Sequence, residues 1–303
     1  MIRTNSNNVK ATFLTVNLSF VLLLATTTVV LGGDTPIPES PYGVDNWFSS
    51  NVKQSTVRKS TLDPVLFQAE SVPVKVITVS KDGKGNFNNI KAAIDSVPNG
   101  NTRRIVISIG PGEYKEKITI DRSKQFISFY GNPKAMPTLV FDGTAAQYGT
   151  VDSATLIVYP DYFSAANVIF KAQPDGKRRN AQAIALRISG NKSSFYNCRF
   201  IGFQDTLCDD REKRITRDWN EWNGSDDSTS KRVREGGDWI LIRALQGYRY
   251  CTVFFGEYKN SGPGASTGGR SKFTKLLTYD QAKPYISLGF IKGSTWLLPP
   301  PKP

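Results

Sequence analysis

The sequence predicts an all-β domain of stacked, repeating rungs, and three observations carry that expectation. Between Arg104 and Phe203 the apolar residues fall in short runs separated mostly by Gly, Asn, Asp or Pro, the pattern of many short strands. No helical spacing intervenes there, which argues against alternating strand and helix units. An Asn-x-x-Phe pattern occurs twice, at Asn167–Phe170 and Asn197–Phe200, each time on a strand after an aromatic residue. Stacked rungs set like residues above one another, and an inward Asn can hydrogen-bond at a turn. On pattern alone, a two-sheet sandwich with a chance match stays open.

In chain order, the N-terminus reads as a secretory signal over residues 1–33. Arg3 and Lys10 give a positive start, Phe20–Leu31 an apolar stretch, and Val30-Leu31-Gly32 a cleavage site near Gly32 or Gly33. Ala11–Leu31 is nearly long enough to span a membrane, but Asn17, Ser19 and the Thr26–Thr28 run favour a cleaved signal and no lasting membrane association. Residues 34–75, with Pro36, Pro38 and Pro41 near their start, read as an extended lead-in.

The main domain is expected over residues 76–303. Ile77–Val79 reads as a strand and Asp82-Gly83-Lys84-Gly85 as a turn. Phe87, Ile90, Ala93, Ile94 and Val97 share a helical face that Pro98 ends. Strands are then predicted at Ile105–Ile109, Ile118–Ile120, Phe126–Tyr130, Thr138–Phe141, Thr155–Tyr159, Asn167–Phe170, Ala183–Ile188 and Ser194–Phe200. Residues 212–238 hold 13 charged residues in 27 with no period of two, and read as an irregular insert. Val253–Phe255 restores strand character. Thr278-x-x-Gln281 reads as a capping box opening a short helix limited by Pro284. Pro299–Pro301 reads as an extended tail.

Composition narrows the chemistry. The chain has 303 residues and a formal net charge of +13, which becomes +11 once the two basic residues of positions 1–33 are removed. For a secreted protein that field suits an acidic polysaccharide rather than nucleic acid. There is no histidine, so a Ser-His-Asp triad, a Cys-His pair and a His-ligated zinc site are excluded. Carboxylates, amides and arginines must then carry any acid–base chemistry. Cys198, Cys208 and Cys251 allow at most one disulfide and have no metal-type spacing. Asn191-Lys-Ser193 and Asn223-Gly-Ser225 are glycosylation sequons.

Ala181–Arg187 places the amide of Gln182 on one side of a predicted strand, and Phe203-Gln204-Asp205-Thr206-Leu207 sets a carboxylate beside a second amide. A carboxyl group next to an aromatic ring and a leucine can be raised in pKa by desolvation, as a general acid requires. Amide N–H groups suit a developing oxyanion. Together these residues point to ester or glycoside chemistry.

GPGEYKEK (Gly110–Lys117), QAIALR (Gln182–Arg187) and GFQDTLCDDR (Gly202–Arg211) are similar to successive signatures of the pectinesterase family. DGKGNFNNIKAAIDSVP and GEYKNSGPGASTGGR also resemble its plant members. The resemblance implies a single-stranded, right-handed parallel β-helix and hydrolysis of the methyl esters of pectin, with methanol and acidic pectin as products. It implies no metal, no other cofactor, a cell-wall location and a monomer. Asp205 matches the acid/base aspartate, Gln182 and Gln204 the oxyanion-side amides, and Thr150 a substrate-contacting threonine.

The chain also departs from the family. The Val-Asp-Phe-Ile-Phe-Gly motif that carries the family's nucleophile does not occur; counted on from Asp205, its position falls on Asp226. Leu241-Ile242-Arg243-Ala244 is a degenerate echo of the arginine–tryptophan motif, which makes Arg243 a candidate for the orienting arginine. The interval from Asp205 to Gly256 is shorter than the family uses, so some rungs are expected to be missing. A catalytically inactive pectin-binding relative, and a β-helix glycosidase or lyase acting on polygalacturonate, are the alternatives.

Overall fold

The computed structural model describes residues 35–38, 40–58, 60–173, 182–202, 206–209, 240–245, 253–258 and 275–303. The expected signal segment, the insert at 212–238, Gln204, Asp205, Cys251, Asn223 and Asp226 lie outside these.

The lead-in is helical where the sequence suggested an extended chain. Helices α1 (Pro41–Asn51) and α2 (Pro64–Glu70) each begin with a proline in the first helical positions. There the missing N–H costs nothing and the restricted φ suits a helix, so Pro41 starts a helix instead of marking extended chain. Strand β1 (Lys75–Val79) follows, then α3 (Ile90–Asp95). This helix starts later than the apolar face suggested, because Phe87 bridges to Val79 and Asn89 becomes the N-cap. Asn89 Oδ1 accepts from Ala92 N at 2.8 Å, and both carboxylate oxygens of Glu116 accept from Ile90 N and Lys91 N at 2.9 Å. Glu116, from the GPGEYKEK segment, therefore satisfies two otherwise unpaired N–H groups at the positive end of the helix.

Next come β2 (Ile105–Ile109), β3 (Glu113–Lys115), β4 (Ile118–Ile120), β5 (Ile127–Gly131) and β6 (Thr138–Phe141). The short α4 (Ala145–Tyr148) precedes β7 (Leu156–Val158), β8 (Ser164–Ala166), β9 (Ile169–Ala172) and β10 (Leu186–Ile188). The series closes with β11 (Ser194–Tyr196), β12 (Arg199–Ile201) and β13 (Leu207–Asp209). All pair in parallel, in three sheets: β1-β2-β5-β8-β11, β13-β10-β7-β4 and β12-β9-β6-β3. Along the chain the strands visit first, third and second sheet in turn, so each triplet is one rung. Parallel connections of this kind are right-handed. The fold is a right-handed parallel β-helix, and α3 packs on β1, β2 and β4 at its first end.

The Asn-x-x-Phe repeat is the rung spacing. Phe170 pairs in register with Phe200, and their rings stack at 5.4 Å and 12°. Asn167 and Asn197 both take positive φ, at 59° and 47°, at the corner between first and third sheets. Asparagine tolerates this conformation better than most residues. Asn197 Nδ2 donates to Asn167 Oδ1 at 2.8 Å, and Asn167 Nδ2 donates to Gly131 O at 3.0 Å. The ladder runs along the outside of the corner, with Asn197 exposed, and does not point inward. Inside, Phe129, Ala165 and Phe195 occupy one register position on successive rungs. The small alanine leaves room for Phe163, edge-on to Phe129 at 5.2 Å.

The remaining described elements lie outside this stack. Strands β14 (Ile240–Leu245), β15 (Val253–Tyr258) and β16 (Lys275–Leu276) form a separate sheet, with β14 and β15 antiparallel and β16 parallel to β15. Helix α5 (Tyr279–Ala282) opens with the expected capping box: Thr278 Oγ1 accepts from Gln281 N, and Gln281 Oε1 accepts from Thr278 N. The lead-in and the tail meet as a clasp beside the first sheet. Arg58 donates to the carbonyls of Ser294 and Leu297, and Asp63 N donates to Thr295 O at 2.7 Å. Leu62, Leu66 and Ala69 pack with Phe126 and Tyr162, whose rings stack at 5.0 Å.

Candidate active site

The second sheet brings together two of the site residues expected from sequence. Gln182 lies just ahead of β10, and Thr150 ends the turn after α4. Thr150 Oγ1 donates to Gln182 Oε1 at 3.0 Å. With its oxygen engaged, the amide turns its donor nitrogen away from Thr150, as an oxyanion donor must. The Gln182 backbone is tied down as well, since Ala145 N donates to Gln182 O at 2.8 Å. Ser153 Oγ donates to Thr150 O at 2.7 Å, which holds the loop carrying the threonine.

Gln204 and Asp205 lie outside the described residues, but Thr206, which follows Asp205 in the chain, is buried. Its carbonyl accepts from Ala185 N at 3.0 Å and Leu186 N at 3.2 Å. Leu207 is in register with Leu186, and Leu186 with Leu156. The strand that Gln182 leads into and the strand that Asp205 leads into are therefore neighbours. Arg243 lies on β14, paired with Phe255 of β15.

Sequence reasoning missed the groups that frame the amide. Arg187 Nη1 meets Asp152 Oδ1 at 3.0 Å, and its guanidinium lies over the Tyr159 ring at 5.5 Å. This pair joins β10 to the turn next to Thr150. Lys117 Nζ sits 4.4 Å from the centre of the Tyr148 ring, and that ring packs against Phe141 at 5.5 Å. Tyr148 is 46% exposed. An exposed ring beside a cation and an oriented amide offers a flat apolar face, a positive charge and an N–H donor, the set that an acidic sugar requires. The Asn-x-x-Phe repeat sets Arg187 in register with Ile157, so its spacing gave no signal for a partner at Asp152.

A model of the pectinesterase family matches residues 76–224. Pectinesterase 1 of Olea europaea is 40% identical over 344 aligned positions, which cover 90% of this chain and 93% of that protein. The pectinesterase of Parthenium hysterophorus has the same identity and coverage. Against 303 residues here, 344 aligned positions leave at least 41 positions of these relatives without a counterpart. Among solved structures, pectin methylesterase from carrot superposes with a TM-score of 0.41 at 26% identity, over 44% of this chain and 41% of that one. Pectin methylesterase PemA from Erwinia chrysanthemi superposes with a TM-score of 0.49 at 19% identity, over 74% and 98%.

Proposed function

The chain belongs to the pectinesterase family of carboxylic ester hydrolases, and from that premise we propose how it hydrolyses the methyl esters of pectin. The observation that carries the proposal is the Thr150–Gln182 pair, an oriented amide on the rung next to the one that Asp205 leads into. The Gln182 and Gln204 amides donate to the oxyanion that forms when a carboxylate attacks the ester carbonyl. Asp205, as the acid, gives its proton to the methoxy oxygen, and methanol leaves. As the base, it then takes one proton from the water that cleaves the acyl intermediate; the nucleophile leaves as a carboxylate, and the new galacturonate carboxyl gives the other proton to solvent. Asp226 is proposed as the attacking carboxylate, on its count from Asp205. No step requires a metal.

The basic net charge and the Arg3–Leu31 segment support secretion to the cell wall, where the substrate lies. The protein is proposed to act there as a monomer.

The test is methanol release from highly methylated pectin. Asp205→Asn is expected to lower the rate by about 10²–10⁴-fold, and Gln182→Ala by about 10²-fold. The missing positions and the absent nucleophile motif favour one second reading, a relative that binds pectin without turning it over. Salt-sensitive binding of pectin by the parent chain with no methanol would establish that reading instead. Release of oligomers without methanol would replace both with a glycosidase or lyase.

A further inference from the structure

A second cavity lies away from the Thr150–Gln182 pair, against the first sheet, where the tail crosses β5, β8 and β11. Its volume is about 230 Å³, room for a single sugar ring. Its floor is a column of three hydroxyls. Ser128, Ser164 and Ser194 share one register position on successive rungs, and Ser128 Oγ lies 2.6 Å from Ser164 Oγ. Its wall is Arg104, whose side chain is only 9% exposed. Arg104 Nε donates to Glu70 Oε1 at 2.8 Å, and Nη1 donates to Tyr162 O at 2.8 Å and to Ser128 Oγ at 3.2 Å. Nη2 has no acceptor among the described residues.

The balance of charge in the lining points to an anion. Arg104 is paired with Glu70, and Lys192 with Asp63 just outside the lining at 2.6 Å, so with Lys302 the site keeps one net positive charge. Arg104 Nη2 keeps solvent access and is open to an incoming acceptor, and the planar guanidinium matches a carboxylate. Trp296 adds an aromatic face. Cations, a row of hydroxyls and aromatic faces in a space for one sugar ring describe a site for a sugar acid rather than for an inorganic ion or a neutral sugar.

We propose that this cavity binds one galacturonate unit, with its carboxylate on Arg104 Nη2 between Lys192 and Lys302 and its ring hydroxyls on the serine column. The choice of sugar rests on the pectin reading above. The unit is either the end of a demethylated chain or the free sugar. In either case the protein is retained by product at a face other than the one that releases it.

The experiment is calorimetric titration of the full chain with galacturonate, trigalacturonate and galactose, alongside methanol release from pectin. Galacturonate is expected to bind at one site, with galactose at least tenfold weaker. Lys302→Glu, on the exposed tail, and Ser164→Val, in the column, are each expected to weaken galacturonate binding at least tenfold, with methanol release unchanged in Lys302→Glu. Gln182→Ala is expected to leave the binding intact. Tighter binding of trigalacturonate assigns the site to a chain end; equal binding assigns it to the free sugar. Equal affinity for galactose, parent-like binding by both variants, or no binding at tens of millimolar overturns the proposal. Absence of methanol from the parent chain would instead overturn the esterase reading, and the titration would still decide the site.

Discussion

The third and fourth rungs of the β-helix and the clasp of lead-in and tail are both well packed, but by opposite means. In the rungs several residues meet their own kind at the same register position: Phe170 meets Phe200, Asn167 meets Asn197, Ser164 meets Ser194. In the clasp the ion pairs and side-chain-to-carbonyl bonds join unlike partners from distant parts of the chain. Arg58 bonds to carbonyls more than 230 residues away, Glu70 pairs with Arg104, and Asp63 pairs with Lys192. Repetition makes the rungs cooperative and intolerant of local change. The clasp is a set of separate attachments whose loss is local.

The most severe test of this contrast is Gly190→Val. A Cβ at Gly190 would lie 1.8 Å from Pro160 O and 2.4 Å from Pro160 C, both backbone atoms of the rung below. Neither can move without shifting the stack, so the expected cost exceeds about 4 kcal/mol. Folded protein should be lost, as seen by the absence of a cooperative melt in circular dichroism. A near-normal melt would show that rungs slip past one another more easily than the ladders imply. Phe170→Ala comes next. It empties a fully buried site in the ring stack and is expected to cost about 3–5 kcal/mol by denaturant unfolding. The double variant with Phe200→Ala should cost less than the two singles together, because the stacking term of about 0.5–1.5 kcal/mol can be lost only once.

Arg58→Ala tests the other side. It removes the donors to Ser294 and Leu297 and leaves those carbonyls to other partners, at about 1–3 kcal/mol. The expected signature is local: faster proteolysis within residues 40–70, with the melting of the rungs little changed. If the whole domain melts earlier in parallel, clasp and rungs form one cooperative unit and the contrast fails.

The same division decides what was legible in the sequence. Strands β2, β4 and β6 stand where the apolar runs put them, because their aliphatic residues line the interior. Strand β8 was missed: Ser164-Ala165-Ala166 has neither branched nor large residues, and only register between β5 and β11 makes it a strand. Strand β3 was missed because Glu113-Tyr114-Lys115 buries one side chain in three. The lead-in helices were hidden by prolines that start helices as readily as they prevent them. At the site, Thr150 and Gln182 were named from motif resemblance. The Arg187–Asp152 pair was not, since it joins residues 35 apart that only the coiling of the chain brings together. Periodic contacts leave a trace in sequence and singular ones do not.

The smallest expected effect concerns pH and belongs wholly to the clasp. Burial raises the pKa of the Tyr162 hydroxyl. Burial alone would lower that of Lys192, but hydrogen bonds to Asp63 and Tyr162 outweigh it, and the net shift is upward. A group whose pKa rises on folding contributes stability that is full below its unfolded pKa, about 10 for tyrosine and 10.4 for lysine. That contribution is lost as pH climbs through the folded value. Both groups therefore weaken the clasp in the same direction above about pH 10. Proteolysis of residues 40–70 should accelerate there while the Phe170–Phe200 stack stays closed. In Asp63→Asn the lysine loses its charged partner, so attachment should be weaker at neutral pH and should change less between pH 9 and 11. Asp63 accepts from both Lys192 and Tyr162, so an unchanged pH response in that variant would show that neither bond carries the alkaline loosening.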